Sequence, residues 1–372
     1  MGRAAKGRAV CFWVIAGTCT AASPACGGGG GTAETQPDLM AQPDSTARPD
    51  SMAQPDPTVA VPLAGPVTGR GYFPSEAIWY QDISNAAADG ESARVIAGLA
   101  AAGGFGTGDM LIDFDLEVLV ADDGSPMQSF QRGPGFYDPD CDFGPVPVPH
   151  GGALEAEAGY ACAGGRDCHL IVHHMPTKTL YEMWRANIAE ETFKGGCLAV
   201  WDLTRVYPPH GRGLGCTSAD AAGFPIAALL FTANEVAAGE IPHAVRFILP
   251  NDRIRRAVFV APATHSTGST RGGPNTPPFG ARLRLRHDFP VDLLPEGGRP
   301  VAQALQRYGM FLADGGLKAL TAQSDRFTRT KWGTGDRRLL SERDLVLIKV
   351  TDFEMIAAGP RLPFTGDCVR AP

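Results

Sequence analysis

The sequence predicts a mainly β protein, folded as a single β-sandwich or jelly-roll-like domain with a few short helices. Three observations carry that expectation. Short apolar runs recur between Gly- and Pro-rich turns, helical patterns are few and scattered, and no shift in composition divides the chain after Pro66. A parallel α/β sheet would instead alternate its strands with regular helical segments.

The N-terminal residues have a different character. Arg3, Lys6 and Arg8 precede an apolar run from Ala9 to Gly17, and small residues follow as far as Ala25, the order expected of a signal peptide. That run is too short to cross a bilayer. Ser23-Pro24-Ala25-Cys26, followed by five glycines, resembles the lipobox of bacterial lipoproteins. The resemblance implies acylation of Cys26 and a membrane partner through that lipid, on the periplasmic or outer side of the cell envelope. Ser23 and Pro24 depart from the usual lipobox residues, and plain secretion is the alternative. From residue 27 to 66 the composition turns to Gly, Pro, Asp and Gln, with Gln36-Pro37-Asp38 echoed at Gln42-Pro43-Asp44 and Gln54-Pro55-Asp56. Regular proline and mutually repelling aspartates give a solvated, semi-rigid linker. Residues 67–372 are expected to form the globular domain.

Within that domain a helix is predicted from Glu91 to about Ala101, with Val95, Ile96 and Leu99 on one face and Gly103-Gly104 ending it. Met110 to Val120 reads as a strand, its apolar residues alternating with Asp113, Asp115 and Glu117. Further strands are predicted at Cys168 to His174, Thr179 to Arg185, Cys197 to Leu203, His243 to Leu249, Ala257 to Ala261, Ala281 to Arg286 and Asp352 to Ile356. Thr232-x-x-Glu235 and Ser341-x-x-Asp344 have the form of capping boxes, and Pro300 opens a helical segment through Tyr308.

Of nine cysteines, Cys11 and Cys19 fall in the leader and Cys26 carries the expected lipid. That leaves Cys141, Cys162, Cys168, Cys197, Cys216 and Cys368. An even set in an oxidising compartment reads as three disulfides. Spacing leaves their pairing open, with Cys162 to Cys168 and Cys197 to Cys216 the shortest closures. No paired C-x-x-C spacing supports a zinc cluster.

The net charge of −7 gives no global attraction to nucleic acid, and no such partner is expected. There is no Walker A lysine, no H-E-x-x-H and no G-x-S-x-G, and Gly104-Phe105-Gly106-Thr107-Gly108 follows a helix instead of opening one. No cofactor or metal is expected. His169 and His173 lie too far apart along a strand to share an ion.

Glu182 and Asp202 stand inside apolar strands, where an acid without a partner is costly. With Asp113 they are the expected catalytic carboxylates of a polysaccharide hydrolase, a reaction that needs one protonated and one ionised acid. His169, His243, Arg246, His265 and Trp184 are the expected substrate-binding groups. Arg282, Arg284 and Arg286 project from one strand face, to pair with Asp113, Asp115 and Glu117 or with an anionic polymer. Ser218, in the stretch Cys216 to Gly223, reads as a helix start and not as a nucleophile. The alternatives to a hydrolase are a non-catalytic glycan-binding or envelope-interaction protein, in which Trp79, Trp184, Trp201 and Trp332 stack on sugars or fill the core, and a polysaccharide lyase using the arginine row.

Several stretches resemble a group of secreted bacterial proteins of uncharacterised function. They include Cys168-His169-Leu170-Ile171-Val172, Ala199-Val200-Trp201-Asp202-Leu203, Thr217 to Gly223, Gly239 to Phe247 and Arg307 to Asp314. The resemblance spans about Tyr72 to Ile356, which implies one extended domain, and it implies no activity. The lipobox reading has a direct test. In a detergent phase separation the wild-type protein should enter the detergent phase and Cys26→Ala should stay in the aqueous phase. Detergent partitioning that survives the substitution would rule out acylation at this cysteine.

Overall fold

The computed structural model describes residues 71–163 and 167–371. The expected signal peptide, Cys26 and the expected linker lie outside the described residues. The period-2 runs of the sequence form ten principal strands in two sheets, and the chain is mainly β as expected. In chain order they are β1 (Ile112–Leu116), β2 (Leu119–Ala121), β3 (Leu170–His174), β4 (Thr179–Met183), β5 (Leu198–Asp202), β6 (Val245–Leu249), β7 (Arg282–Leu285), β8 (Met310–Gly315), β9 (Leu320–Gln323) and β10 (Phe353–Met355). The six-stranded sheet runs β1-β9-β6-β8-β7-β10 and the four-stranded sheet β5-β4-β3-β2. Pairing is mixed: β1 with β9, β6 with β8 and β2 with β3 are parallel, and the other neighbours in both sheets are antiparallel. The predicted strand over 110–120 is two strands, because the chain leaves the large sheet after Leu116 and joins the small one at Leu119.

The two sheets share one core. Phe247, Leu283, Leu312 and Leu320 of the large sheet and Ile171, Leu180, Ala199 and Trp201 of the small one belong to a single buried cluster. The alternate residues Leu170, Val172, Met183 and Leu198 face a second, smaller core with Val146, Leu154 and Phe193, so the small sheet is buried on both faces. Each fully buried Leu, Val or Phe stabilises the fold by about 1.5–3 kcal/mol.

The helices stand near their predicted positions: α1 (Ser92–Ala101), α2 (Ala233–Ala238) and α3 (Gly298–Arg307). Val95, Ile96 and Leu99 are the buried face of α1. Thr232 and Glu235 make the capping box of α2 in both directions. At the second expected box only half forms: Ser341 N–H and Oγ–H both donate to the Asp344 carboxylate (2.9 and 2.7 Å), Oγ accepts nothing from Asp344 N–H, and only turns follow.

Cysteines pair as Cys141–Cys197, Cys162–Cys168 and Cys216–Cys368. One of the two short closures forms. The other does not, because Cys197 meets the loop that crosses its strand and Cys216 meets the strand pair at residues 213–214 and 369–370. Three disulfides place the chain in an oxidising, non-cytoplasmic compartment. Among the described residues no helix is long and apolar enough to cross a membrane.

The arginine row does not pair with Asp113, Asp115 or Glu117. Arg282 is buried, donating to Tyr308 O (2.7 Å) and Gln81 O (2.8 Å) with its guanidinium over Phe311, while Arg284 pairs with Glu354 and Arg286 with Asp288. The acids of the 113–117 segment are met instead by Lys318, 3.6 Å from Asp113, and Arg326, 3.9 Å from Glu117.

Glu182 and Asp202, the leading catalytic pair of the sequence reading, are kept apart by the strand register. Glu182 lies opposite Ala199, and Asp202, three residues further along, points to the other face of the sheet. Asp202 is exposed and its Oδ1 accepts the backbone and side-chain donors of Thr204. Glu182 is fully buried; Oε2 accepts Trp201 Nε1–H (3.0 Å) and Ile226 N–H (3.0 Å), and Oε1 accepts Ala227 N–H (2.8 Å). Burial pushes it up to about 7 against the pull of those donors. It fastens the small sheet to the 224–230 segment that leads into α2. Glu182→Gln would turn an amide N–H₂ toward one of the three donors. It should lower stability by about 1–3 kcal/mol in urea unfolding, and an unchanged midpoint would remove this tether from the account.

Candidate functional site

A cavity of about 830 Å³ opens over the large sheet. Its floor follows from the pleat. Asp113 on β1 pairs with Thr321 on β9, and Arg246 on the neighbouring β6 donates to Thr321 Oγ1 (3.0 Å), so adjacent strands deliver polar side chains to one face. Asp314 on β8 extends the row, its Oδ2 accepting from Arg246 Nη2 at 3.1 Å. The register slips by one residue between Phe247 and Ile248, where Ile248 comes to oppose Asp314.

Arg246 is only 5% exposed, and a buried guanidinium needs matched acceptors. The 217–223 loop supplies the principal one. Asp220 Oδ1 accepts from both Arg246 Nε (3.1 Å) and Nη2 (2.7 Å). The predicted helix start is absent here. Ser218 is buried and donates to Phe224 O (2.7 Å), while its oxygen accepts Asp220 N–H (3.0 Å). Gly223 closes the loop at φ +83°, where Thr264 Oγ1 lies 2.0 Å from the position a Cβ would occupy. Ala222 N–H donates to Ala313 O on β8 (2.9 Å), and the Cys216–Cys368 disulfide holds the loop's entry. Asp220 Oδ2 is buried and makes no hydrogen bond. Burial and the nearby Asp314, opposed by Arg246, push Asp220 up to about 8.

A second charged pair stands beside this network. His169 Nδ1 donates to Glu155 Oε2 (2.6 Å) and Nε2 donates to Ala219 O (3.1 Å). Burial works against a charged ring, but Glu155 outweighs it and raises His169 to about 9, so both nitrogens carry protons at neutral pH. Burial would raise Glu155, yet the His169 charge holds it below the usual carboxylate range. Asp113 behaves in the opposite way. Burial first, and then repulsion by Asp115 and Glu155, push it up to about 6 despite Lys318. Its Oδ1 is buried and makes no hydrogen bond.

Of the residues singled out in the sequence, Asp113, His169, Trp184, Arg246 and His265 line this one cavity. His265 Nδ1 donates to Ala221 O (2.8 Å), and burial holds the ring below the ordinary histidine value. Trp184 carries Arg185 on its face. His243 lies elsewhere, between Glu235 (3.1 Å) and Ala244 O (2.8 Å), beside a separate cavity of about 310 Å³. Trp79, Trp201 and Trp332 fill the core. Glu155, Asp220 and Asp314 were missed by the sequence reading. The one signal for Asp220 was Arg246 itself, a cation in an apolar strand that had to find a carboxylate.

Among the described residues, the clusters with metal-ligand spacing are Asp140 with Cys216 and Cys368, and Glu157 with Cys162 and Cys168. Both rest on disulfide sulfurs, which are not thiolate ligands. Comparison with protein-family models, curated proteins and solved structures found no match to this chain.

The Glu155–His169 pair sets a pH window. His169 lies above the ordinary histidine value of about 6.5, so its contribution to stability is full below that pH and is lost as pH rises through about 9. Glu155 lies below its ordinary value, so on the acid side the contribution is lost as pH falls through its folded value. Followed by NMR, the wild-type His169 ring should titrate near pH 9, and in Glu155→Gln it should titrate below about 6.5, because burial and the Arg246 charge then oppose only the more distant Asp314. A ring that titrates at the same pH in both proteins would refute the pairing.

Proposed function

We propose that the chain is an exported, lipid-anchored envelope protein that hydrolyses a glycan, with Asp113 as general acid and Glu155 as its ionised partner. One observation carries the reading: two carboxylates line one cavity, interact electrostatically, and are driven in opposite directions by their surroundings. Glycoside hydrolysis asks for that division of labour, a protonated acid for the leaving oxygen and an anion for the oxocarbenium centre or its attacking water. The cavity adds aromatic surface suited to sugar rings, with Trp184 in its wall and Tyr137, 51% exposed, at its rim. Arg246, fixed by Asp220 and Asp314, and the neutral His265 are the positioning groups. A lyase acting on uronates would need uncommitted cations, and the arginine row that suited it is engaged in internal bonds.

The test is turnover on the substrates returned by an unbiased glycan screen. The general acid must be protonated, so kcat/KM should fall as pH rises through about 6. Asp113→Asn should fold with a near-native Tm, lose about 10²–10⁴-fold in kcat and lose that alkaline limb. An Asp113→Asn protein with full turnover would overturn the assignment.

A further inference from the structure

Hydrolysis needs a group to take the proton of the attacking water, and most candidates in the cavity are already committed. Asp220 is 0% exposed, and both oxygens of Asp314 accept hydrogen bonds, Oδ1 from Gly315 N–H (2.7 Å) and Oδ2 from Arg246. Asp140 is buried and accepts Thr217 N–H (2.9 Å), while Asp138 and Asp167 at the rim are paired with Arg132 and Arg185. Glu155 Oε2 accepts from His169 Nδ1 and from its backbone N–H (3.3 Å). The charge that keeps Glu155 ionised also makes it a poor proton acceptor.

His265 is different. Of the histidines expected to bind substrate, His169 and His243 have an acceptor at each ring nitrogen, whereas His265 has one only at Nδ1. A carbonyl can only accept, so Ala221 O fixes the proton on Nδ1 and leaves the lone pair on Nε2. Nε2 makes no hydrogen bond, it is not sealed from solvent as Asp113 Oδ1 is, and the residue lines the cavity. The ring is held in place. Thr264 N–H donates to Ala222 O (3.0 Å), Thr264 Oγ1 donates to Cys216 O (2.7 Å), and Phe364 packs edge-on against the imidazole at 4.7 Å. Burial keeps the ring neutral against the pull of Asp140; the 217–223 loop turns a carbonyl toward it and the C-terminal segment turns Phe364.

Asp113 and His265 flank the cavity floor. The sheet order β1-β9-β6-β8 sets the strand of Asp113 three steps from β8, to which Ala222 ties the loop that His265 bonds. At about 4.8 Å per step that is roughly 14 Å between backbones. Side chains reaching inward from both ends leave room for a sugar and a water. Inverting enzymes use such a spacing, with acid and base about 6.5–9.5 Å apart.

We propose that His265 is the general base of this site, its Nε2 taking a proton from the water whose oxygen bonds to the anomeric carbon on the face opposite the leaving group. The glycosidic C–O bond breaks, and its electron pair passes to the leaving oxygen, which Asp113 protonates. Ionised Glu155 steadies the positive charge at the anomeric carbon. Asp113 ends as a carboxylate and His265 as an imidazolium, and solvent carries the proton back from one to the other. The inference rests on the hydrolase reading above and assigns that reaction its base and its stereochemistry, inversion.

The tests use the full-length mature protein and the glycan returned by the screen. By NMR, the product first formed should have the inverted anomeric configuration. Besides the alkaline limb of Asp113, kcat/KM should show an acid limb, falling as pH drops through the folded value of His265, below the ordinary histidine value. His265→Ala should lose about 10²–10⁴-fold in kcat with KM little changed, lose the acid limb, and regain turnover with added imidazole. Retained configuration, full turnover in His265→Ala, or a loss confined to KM would overturn the base and leave the hydrolase standing. No turnover on any glycan sinks the hydrolase reading and the base with it. If His265→Ala fails to fold, product configuration and the wild-type pH profile decide. Nitrogen-15 NMR adds a test that needs no substrate: at neutral pH Nδ1 should carry the proton and Nε2 none, and a proton on Nε2 would overturn the base alone.

Discussion

A guanidinium in the middle of a β-sheet sets the terms for much of this structure. Arg246 lies on β6, with a strand on either side, and is only 5% exposed. Breaking such a pair by removing one partner typically costs about 3–5 kcal/mol, so the acceptors have to be brought in and held. One comes from β8 and one from β9, both dictated by the pleat. The third, Asp220, comes from a loop that has no regular structure of its own. That loop is therefore fixed from several directions, by the Ser218 hydroxyl, by Ala222 against β8, by His265 at Ala221 and by a disulfide at its entry. The cavity wall is a by-product of satisfying one buried charge.

What the sequence made legible follows from range. Period-2 alternation and capping chemistry are local, so β3, β4, β5, β6, α1 and α3 stand close to their predicted limits and α2 starts at its capping box. Arg246, His169, His265, Trp184 and Asp113 were legible as polar or aromatic residues in apolar surroundings, and they meet in one cavity. Their partners were not legible, because Asp220 is 26 residues from Arg246, Asp314 is 68, and Glu155 is 14 from His169 across an intervening loop. For the same reason spacing left the disulfide pairing open, since two of the bridges span 56 and 152 residues.

Glu182 and Asp202 show a different limit. An acid in an apolar strand announces that something must compensate it, and it does not say what. Glu182 finds three donors between the sheets, whereas Asp202 sits at the strand end and turns to a local partner two residues on. Composition treated the two alike. Only the register, with Ala199 opposite Glu182, assigns them to different faces.

The Cys216–Cys368 bridge makes a covalent ring of the chain between its ends, and β6 through β10 all lie inside that ring. Arg246 and Asp314 belong to it, as does Asp220, while Asp113, Glu155 and His169 do not. As the chain is made, Cys216 emerges long before its partner, and the loop it anchors cannot be covalently fixed until every strand of the ring has followed. Of the residues outside the ring, Asp113 stands on β1, whose sheet neighbour β9 lies inside it, and His169 donates to Ala219 O, inside it as well. Both sets of residues thus depend on strands of the ring, and the ring's closure is the step after which Asp220 is covalently held beside the groups it serves.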